Sequence, residues 1–238
     1  MGNALSEDAT LREQLDYYRA RATEYDQWWL RQGRYDRGSA ENRSWFEDCA
    51  AVASALERFR PSGRILELAC GTGIWSEKLL PFASQLTLVD GSREMLEIAA
   101  HRLQSTDVRY MEANIFDWTP QQEFDTVFFS FWLSHVPPAR FDGFFALIAR
   151  CLAPGGRIFF VDSRHEQTST AIDHRLPDQE AMQLQRRLND GREFRIYKIF
   201  YRPDELRERL GKSGWNIRTE TTERYFIHGQ GCRSRRLE

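Results

Sequence analysis

The segment Glu67–Gly73 (ELACGTG) has the residue types of a ligand-binding turn. Its two glycines, Gly71 and Gly73, permit a tight backbone turn and the close approach of a ligand. The segment lacks the GxGxxG pattern of dinucleotide-binding turns, because Ser76 stands where the third glycine belongs. A carboxylate at Glu67 repels a pyrophosphate but suits a ligand that is cationic or rich in hydrogen-bond donors. The pattern therefore predicts a small-molecule site around these glycines.

Two further polar residues follow the next two apolar runs of the sequence. Asp90 ends the first run, and its carboxylate can accept hydrogen bonds from both hydroxyls of a ribose. The alternative is a helix cap or a turn residue before Gly91, but the glycine turn ahead of Asp90 favours the ribose role. Asn114 follows the next run, where its amide and the backbone of Ile115 can bind the edge of an adenine, or where it can be a turn residue. Together these residues predict a nucleoside site.

A loop with a histidine follows the fourth apolar run. His135 is the candidate general base, because the unperturbed pKa of histidine is near 6.5 and such a group can accept a proton at neutral pH. The alternative is a structural histidine that hydrogen bonds to the loop backbone. Phe131 and Trp132 either line a pocket or pack in the core, and Asp162 and His165 are weaker candidates for chemistry.

Alternating strands and helices must position these groups. The predicted strands cover residues 64–69, 86–89, 108–113, 124–131 and 157–161. Helices of roughly 10–15 residues between them imply right-handed βαβ units and a mostly parallel sheet. Since the strands are nearly continuous apolar runs, helices are expected on both faces. Ligands of such sheets bind beyond the carboxyl ends of the strands, where the candidate residues fall.

The flanking segments predict further elements. An apolar stripe at helical spacing predicts a first helix and consists of Leu11, Leu15, Tyr18, Ala22 and Tyr25. Thr10 and Glu13 have capping-box spacing, and a second helix is expected from Ser39 to Pro61. The later elements are expected as a helix over 179–188, a strand over 194–201, a helix over 203–211 and one or two strands over 215–227.

The ordered set of motifs resembles the class I S-adenosylmethionine-dependent methyltransferases. Glu67–Gly73 is similar to their first motif, Asp90 to their acidic ribose ligand, and Asn114-Ile115 to their adenine-contacting position. Leu152–Arg157 (LAPGGR) is similar to their LxPGGx turn. The resemblance covers roughly residues 17–215 and is greatest to the small-molecule branch that includes ubiquinone- and menaquinone-biosynthesis methyltransferases. Asn114 departs from the aspartate of many members, although an amide can still bind an adenine edge.

The resemblance implies an α/β fold: a Rossmann-like, doubly wound, mostly parallel seven-stranded sheet with helices on both faces and an N-terminal helical lid. Residues 1–60 are expected to form the lid and residues 61–238 the cofactor-binding core, with a cap insertion near 164–192. The expected cofactor is S-adenosyl-L-methionine, and its product is S-adenosyl-L-homocysteine. Its sulfonium is a cation, which agrees with the carboxylate at Glu67. Tyr17, Tyr25 and Arg21 either close the lid over the cofactor and acceptor or pack as core.

The predicted site residues fall into two groups that share Tyr25. The cofactor-binding residues are expected to be Tyr17, Arg21, Tyr25, Glu67, Ala69, Gly71, Gly73, Asp90, Gly91, Met95, Asn114, Ile115 and Ser130. The acceptor pocket is expected to contain Tyr25, Trp28, Phe131, Trp132 and the catalytic candidate His135. Cys70 is interpreted as a small packing residue beside the turn.

Composition limits the remaining possibilities. The chain has 238 residues and a formal net charge of -2, which argues against a general polyanion binder and makes nucleic acid an unexpected partner. The four cysteines form no CxxC, so we expect neither a zinc site nor a disulfide scaffold, and no metal. No membrane span and no secretory signal are expected, which favours the cytoplasm.

The expected function is methyl transfer, by in-line displacement, to a small acceptor. The 13% aromatic content and near-zero charge favour an aromatic or apolar acceptor that is uncharged or weakly charged. One alternative is an enzyme acting on RNA or protein, with Arg233, Arg235 and Arg236 as a basic tail. Another is a non-catalytic relative that only binds the cofactor. The chain is expected to be a monomer or a homodimer.

Overall fold

The computed structural model describes residues 6–234, so Arg235 and Arg236 of the predicted basic tail lie outside the described residues. The helices are α1 (Glu7–Arg21), α2 (Tyr25–Trp29), α3 (Ser39–Phe59), α4 (Ser76–Leu79), α5 (Arg93–Leu103), α6 (Phe141–Cys151) and α7 (Pro203–Lys212). The strands are β1 (Gly63–Leu68), β2 (Ala83–Asp90), β3 (Val108–Glu112), β4 (Phe124–Ser130), β5 (Leu152–Ser163), β6 (Gln183–Arg187), β7 (Glu193–Tyr197), β8 (Trp215–Thr221) and β9 (Phe226–Arg233). None of these helices is long and apolar enough to cross a membrane.

Seven strands form one sheet in the order β3-β2-β1-β4-β5-β9-β8. The first five are parallel, and β9 pairs antiparallel with both β5 and β8. The predicted Rossmann-like, mostly parallel seven-stranded sheet is therefore confirmed. The strand order reverses between β1 and β4, which creates the crevice where ligands bind in this class of sheet.

Apolar clusters cover both faces of the sheet. Phe128 and Phe129 are neighbours on β4 and point to opposite faces, as successive strand residues must. Phe129 stacks on Phe160 with ring centroids 5.3 Å apart, and Phe128 stacks on Phe159 at 6.0 Å. Each ring pair belongs to a different buried cluster. The two-sided core explains why the strands are continuous apolar runs.

The start of α1 differs from the prediction. The helix begins at Glu7, and the Ser6 hydroxyl caps it by accepting a hydrogen bond from the Ala9 N–H at 3.3 Å. The predicted capping box at Thr10 and Glu13 is wrong, because these residues lie inside the helix. The earlier serine supplies the acceptor that the first turn requires.

The polar segment after β5 also differs. The helix predicted over 179–188 is wrong, since residues 183–187 form strand β6 and pair antiparallel with β7. Leu184 lies opposite Ile196, and both pack with Tyr17 of α1 in a small buried cluster. Strand β6 lies within the predicted insertion near 164–192 and β7 follows it, and the hairpin is stabilised by a contact that is distant in sequence.

Candidate active site

A cavity of about 480 Å³ lies beyond the carboxyl ends of the parallel strands, with α1 along one side. Its walls include twelve of the predicted site residues: Tyr25, Ala69, Gly71, Asp90, Gly91, Met95, Asn114, Ile115, Ser130, Phe131, Trp132 and His135. The other lining residues are not among the predicted site residues; they are Asp8, Leu11, Arg12, Gln14, Leu15, Tyr18, Phe116, Asp117 and Arg140. Leu11, Leu15 and Tyr18 belong to the predicted apolar stripe. The stripe was therefore the sequence signal that could have placed these three residues at the cavity.

The turn after β1 has the backbone conformation that its glycines permit. Ala69, Gly71 and Gly73 have φ values of 53°, 54° and 83°, in the left-handed region. A Cβ atom added at Gly73 would lie 3.1 Å from the Cβ of Ala99 on α5, so this turn packs directly against that helix. Gly73 therefore shapes the turn from outside the cavity, whereas Ala69 and Gly71 line it.

Asp90 joins the turn to the end of β2. The Gly71 N–H donates to its Oδ2 at 2.9 Å, and the Ser92 N–H donates to its Oδ1 at 2.9 Å. Burial raises the pKa of this carboxyl to about 6, against the lowering effect of these N–H groups. Each oxygen keeps further acceptor capacity toward the cavity. The ribose and turn interpretations of Asp90 are therefore compatible with each other.

Glu67 lies behind the turn and outside the cavity lining. Its side chain is fully buried, and the Ser76 hydroxyl donates to Oε2 at 2.5 Å. Among the described residues, Oε1 has no hydrogen-bond partner. Burial raises the pKa of this carboxyl to about 8. At neutral pH the group is therefore mainly protonated in the absence of a nearby cation.

Asn114 forms a local turn at the cavity wall. Its Oδ1 accepts a hydrogen bond from the Phe116 N–H at 3.2 Å, and its Nδ2 donates to Asp117 Oδ2 at 2.5 Å. The side chain is exposed, and both Asn114 and Asp117 line the cavity. Ile115 beside them is buried and offers an apolar wall.

His135 is buried and has a partner on each ring nitrogen. Nδ1 lies 2.6 Å from the Tyr197 carbonyl oxygen, which can only accept, so Nδ1 carries the proton. Nε2 then accepts from the Tyr18 hydroxyl at 2.7 Å. Burial, together with the charge of Lys198, holds the pKa of His135 well below its usual range. The residue is a neutral imidazole that orients Tyr18.

A second, smaller cavity of about 50 Å³ adjoins the first. Tyr18, Tyr25, Phe131 and His135 line both cavities and form their shared boundary. The predicted residues Tyr17, Arg21 and Trp28 line only the smaller cavity. The Trp28 indole donates to the Ser169 carbonyl at 2.8 Å, and its ring meets Phe131 edge-on with centroids 4.8 Å apart.

The large cavity fits the expected cofactor in size and chemistry. Its volume lies in the usual range of cofactor sites, about 300–1,000 Å³. The Asp90 carboxylate and the open backbone of Gly71 suit hydroxyl and ammonium groups, and Met95 and Ile115 offer apolar walls. Within residues 6–234, no group of three or more His, Cys, Asp or Glu side chains is placed to hold a metal ion.

Comparisons with known proteins identify the family. Residues 65–156 match a family model described as a methyltransferase domain. The chain is 30% identical, over 87% of its length and 81% of the relative, to the ubiquinone biosynthesis O-methyltransferase of Xanthomonas axonopodis pv. citri. It is 37% identical to the protein in the DhpI–SAH complex, covering 97% of this chain and 100% of that one, with a TM-score of 0.77. For the DhpI–SAM–HEP complex the identity is 38%, the coverage 95% and 99%, and the TM-score 0.76. The chain therefore belongs to the S-adenosylmethionine-dependent methyltransferases and uses S-adenosylmethionine as its cofactor.

Proposed function

We propose that this chain transfers the methyl group of S-adenosylmethionine to an oxygen of a small molecule bound across the two cavities. The observation that carries the proposal is the arrangement at the strand edge, where a cofactor-sized cavity with Asp90 in its wall shares four lining residues with a second cavity. Relatives support it, since one is named an O-methyltransferase and DhpI binds HEP as well as SAM. The acceptor class and the residue roles below belong to this proposal.

The cofactor is assigned to the larger cavity. Asp90 holds the ribose hydroxyls, while Asn114, Ile115 and Met95 contact the adenine. The methionine end lies along the turn, where the backbone of Ala69, Gly71 and Gly91 and the side chain of Ser130 are accessible. Glu67 supports the turn from behind through its hydrogen bond with Ser76. Gly73 contributes through the shape of the turn. Tyr25 closes the turn, because its ring atoms lie 3.9–4.0 Å from the Cβ position of Gly71.

Helix α1 is proposed to be a lid. It contributes Leu11, Leu15 and Tyr18 to the cavity wall, and the Leu15 Cδ1 atom approaches the Cβ position of Gly91 to 3.0 Å. Arg140 ties the start of this helix to the core through Glu7 at 2.7 Å. A lid in this position excludes water from the reacting atoms. Tyr17 and Arg21 anchor it on its other face.

The bound cofactor supplies a methyl group on a sulfonium, which an acceptor oxygen displaces in line. The protein contributes mainly by positioning and desolvating the acceptor. If the acceptor oxygen carries a proton, Tyr18 takes it and passes its own proton to Nε2 of His135. Because the pKa of His135 is low, this route is weak, and the site favours an acceptor oxygen that is already ionised.

The finer predictions about the acceptor and the setting remain predictions. Phe131 and Trp132 line the large cavity, which supports an acceptor with an aromatic or apolar part. Cytoplasmic location, a monomer or homodimer, and the absence of nucleic-acid binding rest on the sequence argument alone.

The test combines calorimetry with S-adenosylhomocysteine and a transfer assay with methyl-labelled S-adenosylmethionine. We expect binding of the product and label transfer to members of a small-molecule acceptor panel. A folded protein that does not bind S-adenosylhomocysteine contradicts the proposal. Label that enters only RNA or protein favours a macromolecular substrate, and binding without transfer to any acceptor favours a non-catalytic relative.

A further inference from the structure

Three basic side chains converge on the smaller cavity from different parts of the chain. Arg21 lies on α1, Arg186 lies on β6, and Lys198 directly follows β7. All three line the cavity. Arg21 is 8% exposed and Lys198 is 6% exposed, while Arg186 is half-buried. Burial of charged groups is costly unless opposite charges or hydrogen bonds compensate for it.

Among the described residues, the hydrogen-bond partners of Arg21 and Arg186 are uncharged side chains, and neither arginine contacts a carboxylate. Arg21 donates one hydrogen bond, from Nη2 to the Tyr35 hydroxyl at 3.3 Å, and its Nε lacks a partner in residues 6–234. Its guanidinium lies over the rings of Tyr25 and Tyr17, at 4.8 and 5.6 Å from their centroids. These contacts leave most of its donors unused.

Arg186 has only neutral partners. Its Nη1 donates to the Thr170 hydroxyl at 2.5 Å and lies 3.3 Å from Nδ1 of His174. Burial and the nearby arginines lower the pKa of His174 to about 4, so this imidazole is uncharged at neutral pH. Burial also lowers the pKa of Arg186. No hydrogen-bond or ion-pair contact within residues 6–234 neutralises this guanidinium.

Lys198 is the one cation of the cluster with an acidic neighbour. Its Nζ donates to the Ser134 hydroxyl at 2.8 Å and lies 3.4 Å from Asp162 Oδ1. That carboxylate also accepts the N–H groups of Ser134 at 2.8 Å and Ser163 at 2.7 Å. Of the three cations, only Lys198 therefore has a carboxylate partner in the described structure, and an excess of positive charge remains.

The balance of charge affects the neighbouring tyrosine. Burial by itself raises the pKa of Tyr35, but the charges of Arg21, Arg186 and Arg34 outweigh that effect and lower it. Arginine is well suited to bind carboxylate and phosphoryl groups through paired N–H donors.

We propose that the methyl acceptor is an organic anion whose compact oxyanion group, a carboxylate or a phosphoryl group, binds between Arg21, Arg186 and Lys198. The inference rests on the proposed function and specifies its substrate class. The cavity of about 50 Å³ is several times the roughly 10–15 Å³ that one water requires by the same measure, so it admits a small head group. The rest of the acceptor extends past Tyr18 and Phe131 into the larger cavity. The net charge of the whole chain favoured an uncharged or weakly charged acceptor, whereas this local charge favours an anion.

The experiment measures anion binding by calorimetry at low ionic strength, with and without saturating S-adenosylhomocysteine. The probes are inorganic phosphate, acetate and, as an uncharged match for acetate, acetamide. The variants are Arg21→Met, Arg186→Met and Lys198→Met, each of which removes a charge and keeps an unbranched side chain. Arg93→Met is the control, because its side chain is 75% exposed on α5 and far from this cluster in sequence.

We expect at least one of the two anions to bind the wild type and acetamide not to bind. Loss of one charged hydrogen-bonding partner weakens such binding by about 10- to 100-fold. Each cluster variant should show this loss, and Arg186→Met and Lys198→Met should leave affinity for S-adenosylhomocysteine unchanged within about twofold. The control should behave as wild type. Phosphate binding without acetate binding assigns a phosphoryl acceptor, and the reverse assigns a carboxylate. Three separate variants keep the test decisive if one of them fails to fold.

Two kinds of failure are distinguishable. Three outcomes overturn the anionic-acceptor inference, whatever the result with the cofactor product. They are binding of acetamide as tight as that of the anions, no binding of either anion, and equal anion affinity in wild type and all folded variants. If the wild type does not bind S-adenosylhomocysteine, the proposed function is overturned. The anion titrations without that ligand still test the cluster. In the transfer assay, label should enter acids and not their amides.

Discussion

The buried carboxyl of Glu67 should make the stability of the protein depend on pH in a defined direction. Its pKa rises from 4.5 to about 8 on folding, because the side chain is fully buried with one hydroxyl partner. The folded state therefore holds a proton that the unfolded state releases. By linkage, this group destabilises the fold progressively as pH rises from about 4.5 to about 8, and its effect is constant above that window.

The substitution Glu67→Gln removes this effect with little change of shape. One pKa unit corresponds to about 1.4 kcal/mol, so the free energy of unfolding of the variant relative to wild type should rise by about 3–4 kcal/mol between about pH 5 and pH 8. Any packing cost of the amide is the same at every pH. The diagnostic quantity is therefore the change with pH in the difference between the unfolding free energies of variant and wild type, not that difference at a single pH.

The assay is urea unfolding of both proteins at about pH 5, 6, 7 and 8, without cofactor and with equal denaturant slopes as a check on two-state behaviour. Glu123→Gln is the matched control, since this glutamate is exposed and its substitution should leave the pH dependence of wild type in place. If the difference in unfolding free energy between Glu67→Gln and wild type stays constant from pH 5 to pH 8, burial does not raise the pKa of Glu67 as described.

Three further predictions concern the turn and the boundary between the cavities. Asp90→Ala should weaken binding of S-adenosylhomocysteine by about 10- to 100-fold, the scale of a hydrogen bond to a charged group. In wild type that affinity should fall below about pH 6, where the Asp90 carboxyl is protonated, and equal affinity at pH 5 and 7.5 in calorimetry contradicts the ribose role. Gly73→Ala should lower the free energy of unfolding by about 1–3 kcal/mol, because φ is 83° and the new Cβ would lie 3.1 Å from Ala99. In urea unfolding, Gly143→Ala is its control, since a Cβ there meets nothing within 4 Å, and equal effects of the two changes contradict the steric argument. His135→Asn should lower turnover more than it changes cofactor affinity, and wild-type turnover should show no step near pH 6.5, since the pKa of His135 lies well below that value. Normal turnover of this variant leaves His135 with a structural role only.

Local sequence signals were sufficient for the parallel core of the fold. The apolar runs ending at Val89, Phe131 and Val161 fall on β2, β4 and β5, because a strand covered by helices on both faces must be apolar throughout. The Ser92 hydroxyl caps α5 by accepting the Met95 N–H at 3.2 Å, and a serine just before a helical run is a local signal for such a cap. Such signals act within a few residues, so they can be recognised without the tertiary structure.

Elements stabilised by distant contacts were not predictable in the same way. Residues 183–187 have no strong local periodicity and become a strand because Leu184 pairs with Ile196 and packs on Tyr17. The α1 stripe was recognised, but its orientation was not. Leu15 and Tyr18 face the large cavity, while Tyr17 and Arg21 are buried on the other side.

Residue types and their spacing were enough to identify the family, the cofactor and the edge of the sheet where the cofactor-binding turn lies. Gly71 and Asp90 carry that information because the turn and the strand end are short-range features whose chemistry depends on residue type. The charge of the neighbouring cavity, in contrast, depends on the tertiary structure. Arg21 lies on α1, far along the chain from Arg186 on β6 and Lys198 just after β7, and the net charge of -2 does not show that the three converge. Electrostatic interactions depend on distance in space and on burial, so a local excess of positive charge appears only when the fold brings these side chains together.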